Sequence, residues 1–231
     1  VLPDGVRQCG LKTLVFQVDY LKPYLESLHD PERFFFAHFC VGMNNRSSSK
    51  SKPTDLRVVG AELYFLPVET RVPLKFGDET LTSVTCARVR LSVRSRDGRT
   101  AEGWGETPLS VPWTWPANIS YKQRNAALME FCRRLTTAWI QASAEGHPVE
   151  VGNWFLQESL PALLQEFNKD PSFNEEMPYL AALVCCSPFD IALHDAFGML
   201  LQRPTYETYG SEYLNHDLSY FFTQQTDPAC D

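Results

Sequence analysis

Residues 178–210 read PYLAALVCCSPFDIALHDAFGMLLQRPTYETYG, and this stretch decides the fold. Pro178 suits a first helical turn, Leu180, Leu183, Val184, Ile191 and Ala192 recur largely at helical spacings, and Pro204 marks a stop. The pattern predicts one long, mostly buried helix. Asp190, His194 and Asp195 stand among apolar neighbours, where charge is costly unless partnered. Asp190 and His194 are four apart, so they lie one above the other and can pair. Asp190 and Asp195 are five apart, roughly 140° around the axis, so they cannot converge on one metal ion and are expected to anchor helix and loop.

Upstream of this helix the pattern is that of strands. LRVVGAELYFLPV, from Leu56 to Val68, alternates apolar and polar residues and predicts a strand ending near Pro67, with a loop at 69–80. SVTCARVRLSVR, from Ser83 to Arg94, predicts a second strand. Val84, Cys86, Val89, Leu91 and Val93 fall mostly on one face and Arg88, Arg90 and Arg94 on a solvated one. Asp97-Gly98 supplies a tight turn, and residues 100–106 a third strand ending in Gly103-Trp104-Gly105-Glu106. The expected fold class is therefore α+β, a three-stranded antiparallel sheet followed by a helical bundle. A Pro- and Trp-rich loop follows at 109–117, a helix opens at Ser120, and another covers 154–167 with Pro161 at a kink or fresh start. Leu218 to Thr223, LSYFFT, reads as one more strand.

Two motifs carry a resemblance to a known family. The run from Ser187 to Pro204 resembles the S-x-x-D-x-A-L-x-D-x-x-G-K-x-x-x-x-P helix of the enolase superfamily, in its mandelate racemase and muconate lactonizing enzyme branch. Met199 stands where a lysine is usual. Gly103-Trp104-Gly105-Glu106 resembles the family's G-x-G-E third strand, a position outside the metal site, so a structural role is expected of Glu106. The resemblance implies an enolase-like N-terminal capping domain at 55–204, followed at 205–231 by the first strand of a truncated (β/α) barrel. Residues 1–54 remain an unassigned N-terminal segment with a Ser/Lys-rich linker at 44–53 and an aromatic run at 33–41.

The resemblance also implies chemistry. Family members remove a proton α to a carboxylate while bound Mg²⁺ stabilises the enediolate, acting as racemases, epimerases, cycloisomerases or dehydratases. Their metal ligands and bases lie on the barrel, beyond the last residue here, so neither catalytic nor metal-ligating residues are expected in this chain, and Mg²⁺ is expected only in the intact enzyme. By itself the chain is expected to be inactive. Capping domains supply substrate specificity through two loops, here 70–81 and 109–116. The candidate substrate-binding residues are Arg71, Lys75, Phe76, Trp113 and Trp115, with a small carboxylate as substrate. Val72-Pro73-Leu74-Lys75-Phe76-Gly77 resembles the family loop P-L-x-x-P-F without its second proline. The alternative is a stand-alone, non-catalytic binding or assembly module.

Composition sets outer bounds. With 231 residues, of which 44% are hydrophobic, the chain can bury a sizeable core as one or two domains. A net charge of -7 argues against a nucleic-acid partner. No apolar run approaches the roughly 20 residues needed to cross a bilayer, and no leader pattern opens the chain, so no membrane partner and a cytoplasmic location are expected. A homo-oligomer is expected only through the intact enzyme. Seven cysteines without a C-x-x-C pair predict buried thiols rather than a disulfide framework or zinc site. His194, at a position held by an aromatic residue in the family, is expected to pack. His29, His38, His147 and His216 show no ligand spacing. Lys50-Ser51-Lys52 is a K-x-K string in the linker, away from any family base.

Overall fold

Alternation of side chains across a pleat explains the sheet. The computed structural model describes residues 51–76, 79–171 and 175–221, with backbone alone at Phe76 and Glu79. Strands β1 (Leu56–Phe76), β2 (Glu79–Ser95) and β3 (Thr100–Pro108) form an antiparallel meander in the order β1-β2-β3. Leu91 lies between Ala61 and Gly103, and Arg90 between Glu62 and Trp104. Successive residues of β2 therefore face opposite sides: Ala87, Val89, Leu91 and Val93 are fully buried under the helices, and Arg88 is exposed. The β2–β3 turn is made by Asp97-Gly98, with Gly98 at φ 89°, a conformation open to glycine at little cost.

The pleat corrects one expectation. Val84 and Cys86 share the face of Arg88 and Arg90, not that of Val89. They are nevertheless buried, in a separate cluster with Leu81 that Leu66 and Tyr121 pack against. A period of two fixes the face, and a helix N-terminus covering the far end of that face decides the burial.

Four longer helical elements follow. After a single turn, α1 (Val111–Thr114), helix α2 (Tyr121–Gln141) opens on a capping box: Ser120 Oγ accepts from the Gln123 amide and Gln123 Oε1 from the Ser120 amide. Its buried stripe includes Leu128, Phe131, Leu135 and Trp139. Helix α3 (Pro148–Trp154) runs through a wide π turn at Phe155–Ser159 into α4 (Leu160–Asn168). The wide turn lies just ahead of Pro161, whose ring and missing N–H do not fit an unbroken α ladder. The predicted kink is thus a change of pitch.

Helix α5 (Tyr179–Leu201) is the predicted central helix. It is buried all round through its first half, as expected of an element enclosed by others. Contrary to the expectation of no apolar run of that length, α5 suffices by length and composition to cross a membrane; most of it is buried inside the fold. Pro188 lies within it and cannot donate to Val184 O, and Ser187 Oγ makes that bond instead at 2.9 Å. The helix ends at Gln202, left-handed at φ 55°, with Arg203 N–H bonded to Gly198 O.

Two further expectations change. Residues 69–76 and 79–80 are not a loop: β1 and β2 continue past the end of β3 as a two-stranded ribbon. Between the Glu69–Ser83 and Leu74–Leu81 pairs, residues 70–73 face Thr82 alone. This is a wide bulge, in which Pro73 has no ladder donor and Thr70 Oγ1 donates to Thr82 O at 3.1 Å. Leu218–Phe221 is a 3-10 turn rather than the opening strand of a barrel. Asp217 Oδ1 accepts from the Ser219 amide at 2.8 Å and closes the chain into a turn. A short apolar run does not by itself distinguish the two. The aromatic run at 33–41, the Ser/Lys linker at 44–50, Cys9, Cys40, Cys230, His29 and His38 lie outside the described residues.

Candidate functional site

The two motifs meet. Gly103 and Gly105 of β3 lie directly on the α5 backbone. A methyl group at Gly103 would fall on the Ala196 amide nitrogen and the Ala192 carbonyl oxygen, and 2.6 Å from Ala196 Cα. One at Gly105 would fall on Pro188 O and 2.7 Å from Ala192 N. Only glycine permits that approach. Between them, the Trp104 amide donates to Asp195 Oδ2 at 2.8 Å, so the second motif aspartate caps an amide on the free edge of β3. Asp195 is an anchor, as expected. Glu106 pairs with Arg88 on the exposed face.

That exposed face carries the arginines. Arg90 is held between Glu62 and Glu102 and lies 5.7 Å over the Trp104 ring. Tyr64 stacks on Trp104 at 6.0 Å and bonds to Glu62, which holds that carboxyl below its ordinary value, with Arg90 adding to the effect.

The two predicted specificity segments spring from one end of the sheet. The β1–β2 ribbon and the C-terminal end of β3 share that end by topology, and the Leu109 amide donates to Thr85 O at 2.8 Å. Beyond Cys86, the last β2 residue paired with β3, the ribbon runs seven further residues of β2 to Glu79, about 24 Å of extended chain. Arg71, Val72, Leu74 and Lys75 are all exposed on it, Arg71 inside the bulge. Trp113, in α1, is 43% exposed. Trp115 is different: at 2% exposure it is a core residue, and its carbonyl accepts from the buried Arg124 guanidinium at 2.6 Å. Its aromatic bulk reads as a contact surface in sequence, but the turn of α1 directs it inward. The Phe76 side chain lies outside the described residues.

Elsewhere the titratable groups are held rather than poised. Among the described residues no three His, Cys, Asp or Glu side chains converge as a metal site, and the α5 carboxylates point to separate partners, so these residues do not fit a Mg²⁺ ion. Cys86, Cys132, Cys185 and Cys186 are buried free thiols, and burial pushes Cys86 up to about 11 and raises Cys185 and Cys186. Cys86, Cys185 and Cys186 are therefore not nucleophiles at neutral pH.

Asp190 and His194 approach only to 3.9 Å, and the shorter bond of His194 is Nδ1 to the Tyr209 hydroxyl at 2.8 Å. Sequence reading gave no role to His147, which proves to be the fully buried N-cap of α3. Its Nδ1 accepts from the Val149 amide at 3.1 Å, leaving the ring proton on Nε2 to donate to Thr208 O at 3.0 Å. Burial, then the neighbouring His194, pushes its imidazole down to about 3. The signal was present in the His-Pro-x-Glu order, a capping box with an unusual cap residue.

No protein-family model and no curated protein matches the chain. Solved structures do. A dipeptide epimerase from Enterococcus faecalis, complexed with Mg and the dipeptide L-Leu-L-Tyr, is 15% identical; the match covers 67% of this chain and 35% of that one at a TM-score of 0.39. An enolase from Bradyrhizobium, complexed with magnesium and mandelic acid, is 13% identical over 66% of this chain and 34% of its own, also at 0.39. A mandelate racemase/muconate lactonizing protein from Herpetosiphon aurantiacus is 16% identical over 63% and 31%, at 0.28. The chain thus spans about a third of the length of each of these three solved structures.

Proposed function

We propose that this chain is the capping, specificity-setting portion of a Mg²⁺-dependent enolase-superfamily lyase or isomerase of the mandelate racemase and muconate lactonizing type. The intact protein removes a proton α to a carboxylate, and the chain by itself is inactive. One observation supports the reading above others. The two motifs that carry the family resemblance, more than 80 residues apart, interlock through the Gly103 and Gly105 approach to α5 and the Asp195–Trp104 bond.

On this reading the bulged ribbon and the α1 turn close over the open end of the catalytic domain. Arg71 and Lys75 are cations for a second carboxylate or polar tail of a small substrate, and Trp113 and Phe76 shed water from it. Trp115 supports the turn from within. The metal belongs to the remainder of the protein, and no catalytic step is assigned to a residue of this chain.

The test uses the intact protein and a panel of small carboxylates, dipeptides and α-hydroxy acids among them. Arg71→Ala and Lys75→Ala are expected to raise KM about tenfold for the preferred substrate, the loss of about 1.4 kcal/mol of binding, with kcat changed little. Unchanged KM in both variants refutes the assignment.

A further inference from the structure

Residues 205–216, which follow α5, are tied to the rest of the fold by an unusual set of bonds. Thr208 and Tyr213 are the buried residues of the segment. Tyr213 meets Phe197 edge-on at 6.0 Å. Tyr209 rests on the His147 and His194 rings, and the polar ties include three made by histidines: His147 at the N-cap of α3, His194 on α5 and His216 of the segment itself. His147 Nε2 donates to Thr208 O, and His194 Nδ1 bonds the Tyr209 hydroxyl. His216 Nδ1 lies 3.2 Å from Glu150 Oε1. Glu150 also accepts from the Asn215 and His216 amides at 2.7 and 3.0 Å, and from Asn215 Nδ2 at 2.8 Å. Lys52 Nζ donates to Ser211 O and Leu214 O, and Asp55 accepts from Asn215 Nδ2 at 2.9 Å. A segment with few buried apolar anchors belongs to the part of a fold that opens first.

We propose that residues 205–216 form an acid-released strap: protonation of His147, assisted by His194, undocks it from α3 and α5 while the sheet and α5 remain folded. The geometry assigns the leading role to His147. Its Nδ1 must accept from the Val149 amide, so a proton there sets donor against donor and leaves a cation in a fully buried position. The second ring, His194, is less demanding, because the Tyr209 hydroxyl can turn to accept from a protonated Nδ1 and Asp190 stands nearby. Other charges around the rings act in both directions. Lys52 and His194 disfavour a cation at His147, whereas Glu150 and the Thr208 carbonyl, which keeps its bond from Nε2, favour one, so the drive to release is the burial of the charged ring beneath the strap and not the loss of that bond. His216 faces Glu150 within the strap, and loss of the Glu150 charge below the ordinary carboxylate range loosens the strap further. Asp190, raised by burial, opposes release.

The sign is fixed by linkage. An imidazole at about 3 in the docked strap and at its ordinary value of about 6.5 when released favours release by up to tenfold per pH unit across that window. By pH 4.5 the release constant has risen by at most about a hundredfold, the limit reached when release restores the ordinary imidazole value.

Hydrogen exchange read by mass spectrometry on the full chain from pH 7.5 to 4.5, corrected for intrinsic exchange, tests this. Peptides covering 205–216 are expected to lose protection steeply below pH 6 while peptides covering 181–200 keep theirs. His147→Asn keeps a capping acceptor and removes the leading titrating ring, so the strap's opening keeps only the shallow pH dependence that His194 supplies above 4.5. His194→Gln reduces the slope only partly. Joint loss of protection in both regions, a pH-independent strap in the wild-type chain, or a slope that persists undiminished in His147→Asn and vanishes in Glu150→Gln overturns the proposal. The wild-type series alone decides between strap release and global unfolding, so a poorly folding variant does not shelter it.

Discussion

Gly103→Ala tests the contact that joins the two motifs. The added methyl group would sit 2.6 Å from Ala196 Cα, where carbon atoms pack at about 3.5–4.0 Å, so β3 and α5 must part by about 1 Å. A gap of that size forfeits between a quarter and a half of each dispersion contact across the interface. Overpacking usually costs about 1–3 kcal/mol because side chains rotate away, but here the obstructing atoms are backbone, so the cost is expected at about 3 kcal/mol or more. In urea, with a slope of about 2 kcal/mol per molar, the midpoint falls by about 1.5 M. Gly60→Ala is the matched control: its methyl meets Ser92 Cβ at 3.5 Å, an ordinary contact, and stability is expected to change by less than about 1 kcal/mol. Gly103→Ala within 1 kcal/mol of the wild-type chain refutes the close-approach account.

Other substitutions separate the remaining contributions. Asp195→Ala removes the charged acceptor of the Trp104 amide and is expected to lower stability by about 1.5–3 kcal/mol, whereas Asp195→Asn, still an acceptor, loses less than half of that in the same urea assay. Gln202→Gly relieves a left-handed residue at the end of α5 and is expected to raise the melting temperature, by about 1 kcal/mol equivalent. Ser120→Ala removes one half of the α2 capping box and is expected to cost about 1 kcal/mol, read as a lower thermal midpoint.

Much of the fold was legible because periodicity reports it directly. The α5 stretch carries its helix in apolar spacing and its stop in Pro204, and the Asp97-Gly98 turn separates two alternating strands. What was hidden depends on distant parts of the chain. The ribbon at 70–76 contains a proline and reads as a loop; Thr70 and pairing to β2 make it a bulged strand. Val84 and Cys86 are buried because Tyr121, some 35 residues later, packs against them. Of the candidate substrate contacts, Arg71, Lys75 and Trp113 are exposed and Trp115 is buried, since the direction of a tryptophan in a single helical turn is not written in its neighbours. His147 was passed over because histidine is an uncommon cap, and its bond to Thr208 spans 61 residues.

The account's central claim is that these residues cap a carboxylate-binding catalytic domain and contain no reaction centre of their own. Deuterium incorporation α to the carboxylate, followed by NMR in D₂O with Mg²⁺, tests it on the same substrate panel. The account predicts exchange by the intact protein and none above the metal-only background by the 231-residue chain. Exchange catalysed by the chain alone would contradict it.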